Sequence, residues 1–335
     1  MTIFSLFSSK TPKIKDSSGN IPPHSIASLE MVKIGGIDQC VLIRGHDINN
    51  PLLLFLHGGP GSPEMPFACS TQKKLEQYFT VVHWDQRKAG KSYSKKIPNE
   101  ALNIEQYISD AHELIQILKE RFKKEKIYLI GHSWGSILGT LVVQRYPELF
   151  HAYVGMGQVV NMKEGEKITY QYTLDAAKKA GNKKVISKLE KIKPPYGSNI
   201  KDLRFQRKWL TRYGGAIYGK KNQWSVLKLY FTSPEYSLRD IIKTIKGILN
   251  TLNYMWEQIL DIDFFVQVPE LKMPVYFFEG RHDYQVPFEL VEKFIENLKA
   301  PKKKIIWFEK SGHLPNVQET EKFEQALISE VLQLT

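Results

Sequence analysis

Short apolar runs alternate with amphipathic segments along much of the chain. The run Pro51–Leu56 is unbroken, which is typical of a strand buried on both faces. Similar runs occur at Val81–Trp84, Ile127–Ile130, Ala152–Met156, Pro274–Phe278 and Lys304–Phe308. A hairpin is predicted upstream, with strands Leu29–Ile34 and Gln39–Arg44. Apolar spacing is helical between several runs, most clearly from Ile104 to Lys124. This alternation predicts an α/β fold with a mostly parallel central sheet and helices on both faces.

The strand and helix alternation stops in the middle of the chain. Residues 161–265 are basic, rich in aromatic residues and helical in pattern, and the strand signal returns after them. The simplest organisation is one core, residues 26–160 and 266–335, that carries a helical cap inserted at 161–265. Residues 1–25 are predicted to form an N-terminal tail.

The segment Gly131–Gly135 matches the G-x-S-x-G pattern of a nucleophile elbow. A predicted buried strand precedes it, and a predicted helix, Ser136–Tyr146, follows. A tight turn between a strand and a helix needs small residues beside the serine. It would raise the Ser133 hydroxyl above the carboxyl edge of the sheet, where open α/β sheets bind their ligands. Ser133 is therefore the candidate nucleophile.

A nucleophilic serine needs a base, and the base needs an acid that orients it. Where the serine lies on a nucleophile elbow between a strand and a helix, the chain order is serine, acid, histidine. Asp283 follows the predicted strand that ends at Phe278, and His313 follows the strand that ends at Phe308. Because the carboxyl ends of parallel strands share one edge, Asp283 and His313 are predicted to complete a catalytic triad with Ser133.

A glycine-rich loop, His57–Gly61, directly follows the first buried strand. A tetrahedral intermediate needs backbone N–H groups directed at its oxyanion, and glycine allows the backbone to approach closely. The expected donors are the amides of Gly59 and Trp134. Pro60 has no N–H group and can only shape the loop.

Five segments together resemble the prolyl aminopeptidase (proline iminopeptidase) branch of the α/β-hydrolases. They are HGGPGSP at 57–63, WDQRKAGKS at 84–92, GHSWGS at 131–136, GRHDYQVP at 280–287 and SGHLP at 311–315. The resemblance implies an α/β-hydrolase fold, an inserted cap and removal of an N-terminal residue from a peptide. It also implies that Asp85 and Arg87 brace the loops beside the active site without taking part in the chemistry.

The chain departs from that family at three points. Lys88 and His132 stand where the family more often has glycine. In the family, cap glutamates hold the free α-amine of the substrate, and their motif is not recognisable here. Glu235 and Glu257 are the available acids. His132, His282, His112 and His83 are interpreted as structural or surface residues.

Three functions remain open from the sequence. The first is an aminopeptidase, and the second is a carboxylesterase or amidase that uses the same triad through an acyl-enzyme intermediate. The third is a catalytically silent binding protein on the same scaffold. The expected partner is a small-molecule or short-peptide substrate. No cofactor or metal is expected, because water serves as the second nucleophile.

Charge and composition narrow the remaining possibilities. The 335 residues carry a formal net charge of +12. Residues 161–265 hold 20 Lys and Arg against 10 Asp and Glu. These basic residues are scattered among acids and accompany no recognition motif, so nucleic-acid binding is not expected. No apolar run is long enough to span a bilayer, and the N-terminus lacks the pattern of a secretory signal. A cytoplasmic location is therefore predicted.

Overall fold

The computed structural model describes residues 9–194, 196, 200–219 and 224–332. It contains an eight-stranded sheet in the order β1-β2-β4-β3-β5-β6-β7-β8. The strands are β1 (Ile26–Ile34), β2 (Ile37–Gly45), β3 (Leu52–Leu56), β4 (Thr80–Trp84), β5 (Ile127–His132), β6 (Phe150–Met156), β7 (Val275–Gly280) and β8 (Lys303–Phe308). β1 pairs antiparallel with β2, and β2 with β4, whereas all other pairings are parallel. The predicted α/β fold with a mostly parallel sheet is confirmed.

Helices connect the strands and form the segment between β6 and β7. They are α1 (Ala68–Thr71), α2 (Ile104–Phe122), α3 (Trp134–Arg145), α4 (Met162–Lys179), α5 (Lys183–Lys191), α6 (Ile200–Arg212), α7 (Trp224–Thr232), α8 (Leu238–Leu260), α9 (Phe264–Gln267), α10 (Phe288–Asn297), α11 (Pro315–Gln318) and α12 (Thr320–Ala326). Short 3₁₀ segments occur at Met65–Phe67, Leu75–Gln77, Gly90–Ser92, Asn99–Ala101 and Pro147–Leu149, and a π-helical turn at Leu327–Val331.

The central strands of the sheet are buried on both faces, and successive side chains of each strand face opposite sides. In β3, Leu52, Leu54 and Leu56 face a large apolar cluster that includes residues of α2, α3 and α10. Leu53 and Phe55 face the opposite side, where α12 and the π-helical turn pack. This two-sided burial explains the unbroken apolar run in the sequence and fixes the carboxyl edge on which the candidate site lies.

Helices α4 to α8 lie between β6 and β7, and the chain enters and leaves this segment at one place. Asn161 and Asp263 form an isolated antiparallel bridge. The amide of Met162 donates to the carbonyl of Ile262 at 3.0 Å, and the amide of Phe264 donates to the carbonyl of Val160 at 2.8 Å. We call this pairing, residues 160–162 and 262–264, the neck. The predicted cap boundaries at 160/161 and 265/266 remain predictions.

The N-terminal residues that the structure describes contact both the sheet and the segment between β6 and β7. Ile14 is buried, and the amide of Lys10 donates to the carbonyl of Pro234 at 3.0 Å. The Arg44 guanidinium donates to the carbonyl of Pro12 at 2.7 Å. Residues 1–8 of the predicted tail lie outside the described residues. Within the described ranges, every helix is too short or too polar to cross a membrane.

Candidate active site

Ser133 occupies a sharp turn between β5 and α3. Its φ of 54° and ψ of −119° lie outside the regions that L-residues ordinarily adopt. The flanking glycines are required by close packing. A Cβ on Gly135 would lie 2.0 Å from the carbonyl oxygen of Leu56, and one on Gly131 would lie 2.2 Å from the carbonyl oxygen of Gly135. The spacing of small residues in G-x-S-x-G is therefore a packing requirement of this turn.

Asp283 and His313 meet at the carboxyl ends of β7 and β8. Asp283 Oδ2 lies 2.7 Å from His313 Nδ1, and both side chains are buried. The other carboxylate oxygen, Oδ1, accepts from the amides of Gln285 at 2.8 Å and Val286 at 2.9 Å. Because a carboxylate only accepts, His313 Nδ1 carries the proton in this bond. In the neutral ring Nε2 is then left as an acceptor.

The backbone of β6 connects the elbow with this pair. The amide of Ser133 donates to the carbonyl of Met156 at 3.0 Å. A Cβ on the next residue, Gly157, would lie 3.1 Å from His313 Nδ1 and 3.3 Å from Asp283 Oδ2. Gly157 also has a φ of 52°, so a side chain there would be both strained and crowded. The structure thus brings Ser133, Asp283 and His313 to one edge of the sheet.

The segment between β6 and β7 supports the loops of the acid and the base. The carbonyl of Gly215 accepts from the amide of Tyr284 at 2.8 Å, and the carbonyl of Ala216 accepts from the amide of His313 at 2.8 Å. These residues follow α6 directly. The positions of Asp283 and His313 therefore depend on the inserted segment as well as on the sheet.

The glycine-rich loop lies against the nucleophile. A Cβ on Gly58 would lie 3.2 Å from Ser133 Cβ, and Gly59 and Trp134 line the same cavity as Ser133. The Trp134 amide is the first of α3, so it has no acceptor within the helix. Gln86 connects the glycine-rich loop with α3. Its backbone amide donates to His57 Nε2 at 3.2 Å, and its side-chain Oε1 accepts from Trp134 Nε1 at 3.0 Å. Both candidate oxyanion donors thus belong to residues that line the cavity beside Ser133.

His132 forms a buried link that the sequence interpretation did not anticipate. Its Nδ1 lies 2.5 Å from Glu64 Oε1, and its Nε2 lies 2.8 Å from the carbonyl oxygen of His313. Burial alone would lower the pKa of His132, but the nearby Glu64 carboxylate outweighs burial and raises it. For Glu64, burial opposes the charged form, and the His132 charge and hydrogen bond bring its pKa below the usual value. Glu64 Oε1 also accepts from the amide of Gly58 at 3.2 Å.

Asp85 and Arg87, to which the family resemblance gives a bracing role, contact other elements of the chain, and that role remains a prediction. The Arg87 guanidinium donates twice to Asp110, at 2.9 Å each, and once to the carbonyl of Gly35 at 3.1 Å. Asp85 accepts from the amide of Lys91 at 2.8 Å and from the Tyr236 hydroxyl. Burial raises the pKa of Asp85 to about 7 even though both contacts favour the charged form.

A cavity of about 650 Å³ opens beside Ser133. Its wall is largely apolar, with Ile248, Leu252 and Trp256 on one side. Four cationic side chains of α6 also line it, namely Arg204, Arg207, Lys208 and Arg212. Glu166 is the single carboxylate among the described lining residues, and it pairs with Arg207. Glu166 Oε2 is buried without a hydrogen-bond partner in the described structure.

The two acids that the sequence offered as amine ligands lie elsewhere. Glu235 is buried, accepts from Thr11 at 3.0 Å and does not line the cavity. Glu257 is exposed and does not line it either. No sequence motif marks Glu166, because its place beside the cavity arises only from the packing of α4 against α6. The described residues contain no group of three or more His, Cys, Asp and Glu side chains that could hold a metal ion.

Sequence comparison shows the family to which this fold belongs. The profile described as alpha/beta hydrolase fold matches residues 51–320. The chain therefore belongs to the α/β-hydrolase family, and it is an enzyme of the hydrolase class.

Its relatives include aminopeptidases. The chain is 38% identical over 307 residues to the probable aminopeptidase YbaC of Bacillus subtilis, an alignment that covers 90% of this chain and 96% of that protein. It is 26% identical over 111 residues to the proline iminopeptidase of Lactobacillus helveticus, covering 33% and 36%. Among solved structures, a proline iminopeptidase-related protein from Thermus thermophilus superposes with a TM-score of 0.65 at 19% identity, covering 92% of this chain and all of that one. The resemblance to the prolyl aminopeptidase branch is confirmed.

Proposed function

We propose that Ser133, His313 and Asp283 act as a catalytic triad and that the enzyme removes the N-terminal residue of short peptides. The observation that carries the proposal is the placement of Ser133 on a strained turn at the wall of the cavity, beside the buried Asp283–His313 hydrogen bond. The aminopeptidase activity is supported by the relative at 38% identity, which is named a probable aminopeptidase.

In the proposed reaction, the Ser133 hydroxyl attacks the scissile carbonyl while His313 Nε2 takes its proton. Asp283 holds the protonated Nδ1 edge of the ring and stabilises the imidazolium that forms. The amides of Gly59 and Trp134 donate to the oxyanion. His313 then protonates the leaving amine, and water attacks the acyl-enzyme to release the N-terminal residue.

Reaction with a fluorophosphonate probe tests the nucleophile. The probe should form a covalent adduct on Ser133 of the wild-type enzyme and none on Ser133→Ala. The exposed Ser18→Ala variant is the matched control and should react as the wild type does. Modification of another serine, or an adduct that persists in Ser133→Ala, would overturn the assignment.

Glu166 is the proposed ligand of the substrate α-ammonium. Glu166 lines the cavity and its Oε2 is buried without a hydrogen-bond partner in the described structure, which favours a cationic group of the substrate. Hydrolysis of H-Pro-p-nitroanilide should therefore exceed that of the N-acetylated compound by about tenfold or more, which corresponds to one charge-assisted contact. Glu166→Gln should abolish the preference, and the exposed Glu257→Gln should retain it.

A carboxylesterase or amidase is the second candidate. The predominantly apolar wall and the four cationic side chains favour a substrate without a positive charge. Equal rates for the free and acetylated anilides, or hydrolysis of p-nitrophenyl esters alone, would establish this second function in place of the aminopeptidase.

A further inference from the structure

Helix α6 presents a row of cationic side chains to the cavity. Arg204, Lys208 and Arg212 follow one another at intervals of four positions, so they share one face of the helix, and Arg207 follows Arg204 by three positions. All four line the cavity that contains Ser133. Arg204, Lys208 and Arg212 are also exposed, which places them where the cavity meets solvent.

Most of this charge has no counter-charge within the described structure. Arg207 donates to Glu166, which is the single carboxylate among the described lining residues. Arg204, Lys208 and Arg212 form no ion pair with any carboxylate in the described ranges. By contrast, Lys188 of the neighbouring helix α5 forms an ion pair with Asp202 of α6. The three unpaired cations therefore make the mouth of the cavity electropositive.

An electropositive mouth on an otherwise apolar cavity selects a ligand with two parts. Cations with no local counter-charge attract anions, and the guanidinium group matches a carboxylate with two parallel hydrogen bonds. The apolar wall, which includes Leu252 and Trp256, accommodates an uncharged body. Such a ligand has an apolar part near Ser133 and an anionic group toward α6.

We propose that Arg204, Lys208 and Arg212 bind a carboxylate of the substrate. The inference rests on the proposed function, and for a peptidase the group is the free C-terminal carboxylate of a dipeptide or tripeptide. From position 204 to position 212 an α-helix rises about 12 Å, whereas each added residue extends a peptide by about 3.5 Å. Carboxylates of peptides that differ by one or two residues would thus each meet a cation.

The same carboxylate chemistry could come from the acyl part of a substrate, as in the half-ester of a dicarboxylic acid. Two pairs of compounds separate these sources. The first pair is H-Pro-Ala and H-Pro-Ala amide, which differ in the charge of the leaving part. The second pair is p-nitrophenyl hemiglutarate and p-nitrophenyl valerate, which differ in the charge of the acyl part.

The wild-type enzyme should have a kcat/KM for H-Pro-Ala at least tenfold above that for the amide, as expected for one charge-assisted hydrogen bond. The preference should decrease as the NaCl concentration is raised from about 0.05 to 0.5 M, because salt screens the attraction between exposed charges. The combined variant Arg204→Gln, Lys208→Gln and Arg212→Gln should lose the preference. Lys201→Gln, an exposed cation of α6 that does not line the cavity, is the matched control and should keep it.

Equal kcat/KM values within both pairs would overturn the proposal, as would a preference that survives in the triple variant. A preference confined to the ester pair would overturn the peptide assignment. If the wild-type enzyme neither hydrolysed p-nitrophenyl valerate nor reacted with the fluorophosphonate probe, the proposed function itself would be overturned instead.

Discussion

His132 Nε2 lies 2.8 Å from the backbone carbonyl oxygen of His313, so the residue before the candidate nucleophile supports the candidate base. A carbonyl only accepts, and the Glu64 carboxylate on the other side of the ring also only accepts. His132 therefore donates from both nitrogens as an imidazolium. The ring joins the glycine-rich loop, the elbow and the histidine loop in one buried network.

The loss of stability caused by replacing Glu64 should depend on pH in a defined way. The folded pKa of His132 is raised above 6.5, so its contribution is complete below that value and is lost as the pH rises through the folded pKa. The folded pKa of Glu64 is lowered below 4.5, so its contribution is lost as the pH falls through that folded value. Glu64→Gln should lower the free energy of unfolding by about 1–3 kcal/mol. Urea denaturation should show the largest difference between about pH 4.5 and 6.5 and a smaller one at about pH 9; a difference independent of pH would contradict the charged pair.

Asp283→Asn should reduce kcat by roughly 10⁴-fold, because an amide can donate to Nδ1 and stabilise the wrong tautomer of His313. Glu279→Gln is the matched control. Glu279 Oε1 accepts from the amide of Gln158 at 2.9 Å, and a glutamine side-chain oxygen can accept the same hydrogen bond. Steady-state kinetics with p-nitrophenyl esters should show a large loss in the first variant and less than about a tenfold loss in the second. The reverse order would make Glu279 the acid.

Tyr236→Phe should destabilise the protein more at pH 8 than at pH 5. Burial raises the pKa of Asp85 to about 7, so Asp85 is charged at the higher pH and the Tyr236 hydroxyl then donates to a charged group. Bonds to charged groups contribute about 1.5–3 kcal/mol, compared with about 1 kcal/mol for neutral ones. Thermal denaturation at the two pH values provides the measurement. The exposed Tyr254→Phe should change neither midpoint by more than about 1 °C, and an equal effect of Tyr236→Phe at both pH values would exclude a charge-dependent bond.

Lys88→Gly should be more stable than Lys88→Ala by about 1 kcal/mol. Lys88 has a φ of 57°, a left-handed conformation that costs a residue with a Cβ roughly 1–2 kcal/mol and costs glycine little. Both variants lose the hydrogen bond from Lys88 Nζ to Asn99, so their difference isolates the backbone conformation. Chemical denaturation of the two variants measures it, and equal midpoints would show that the strain is absent.

Local patterns predicted the parts of the site that depend on local geometry. The unbroken run of β3 and the G-x-S-x-G elbow follow from the chain near each of them, and the structure contains both. The Glu64–His132 pair joins residues 68 positions apart, and no spacing rule predicts such a contact. Interpreting His132 as a structural or surface residue therefore missed its contact with the histidine loop.

The cap acids show the same limit more clearly. Glu166, Glu235 and Glu257 are equivalent in the sequence, since each lies in a helical or turn segment without a motif. Their different environments arise from packing: Glu166 lies against the cavity, Glu235 contacts the N-terminal segment and Glu257 faces solvent. Helical periodicity predicts which face of a helix is apolar, but it does not predict which polar residue meets a cavity formed by several helices.

The neck has a consequence for how such enzymes can diversify. Because residues 160–162 and 262–264 pair directly, the inserted segment could be replaced by another of different length without separating the strands on either side. The carbonyls of Gly215 and Ala216 restrict this freedom, since each accepts from a loop that carries Asp283 or His313. A transplanted segment must therefore join the core at the neck and also provide two backbone carbonyls that accept hydrogen bonds from the loops of Asp283 and His313. Recombination between homologues would therefore conserve the neck and these two carbonyls and allow the sequence between them to vary.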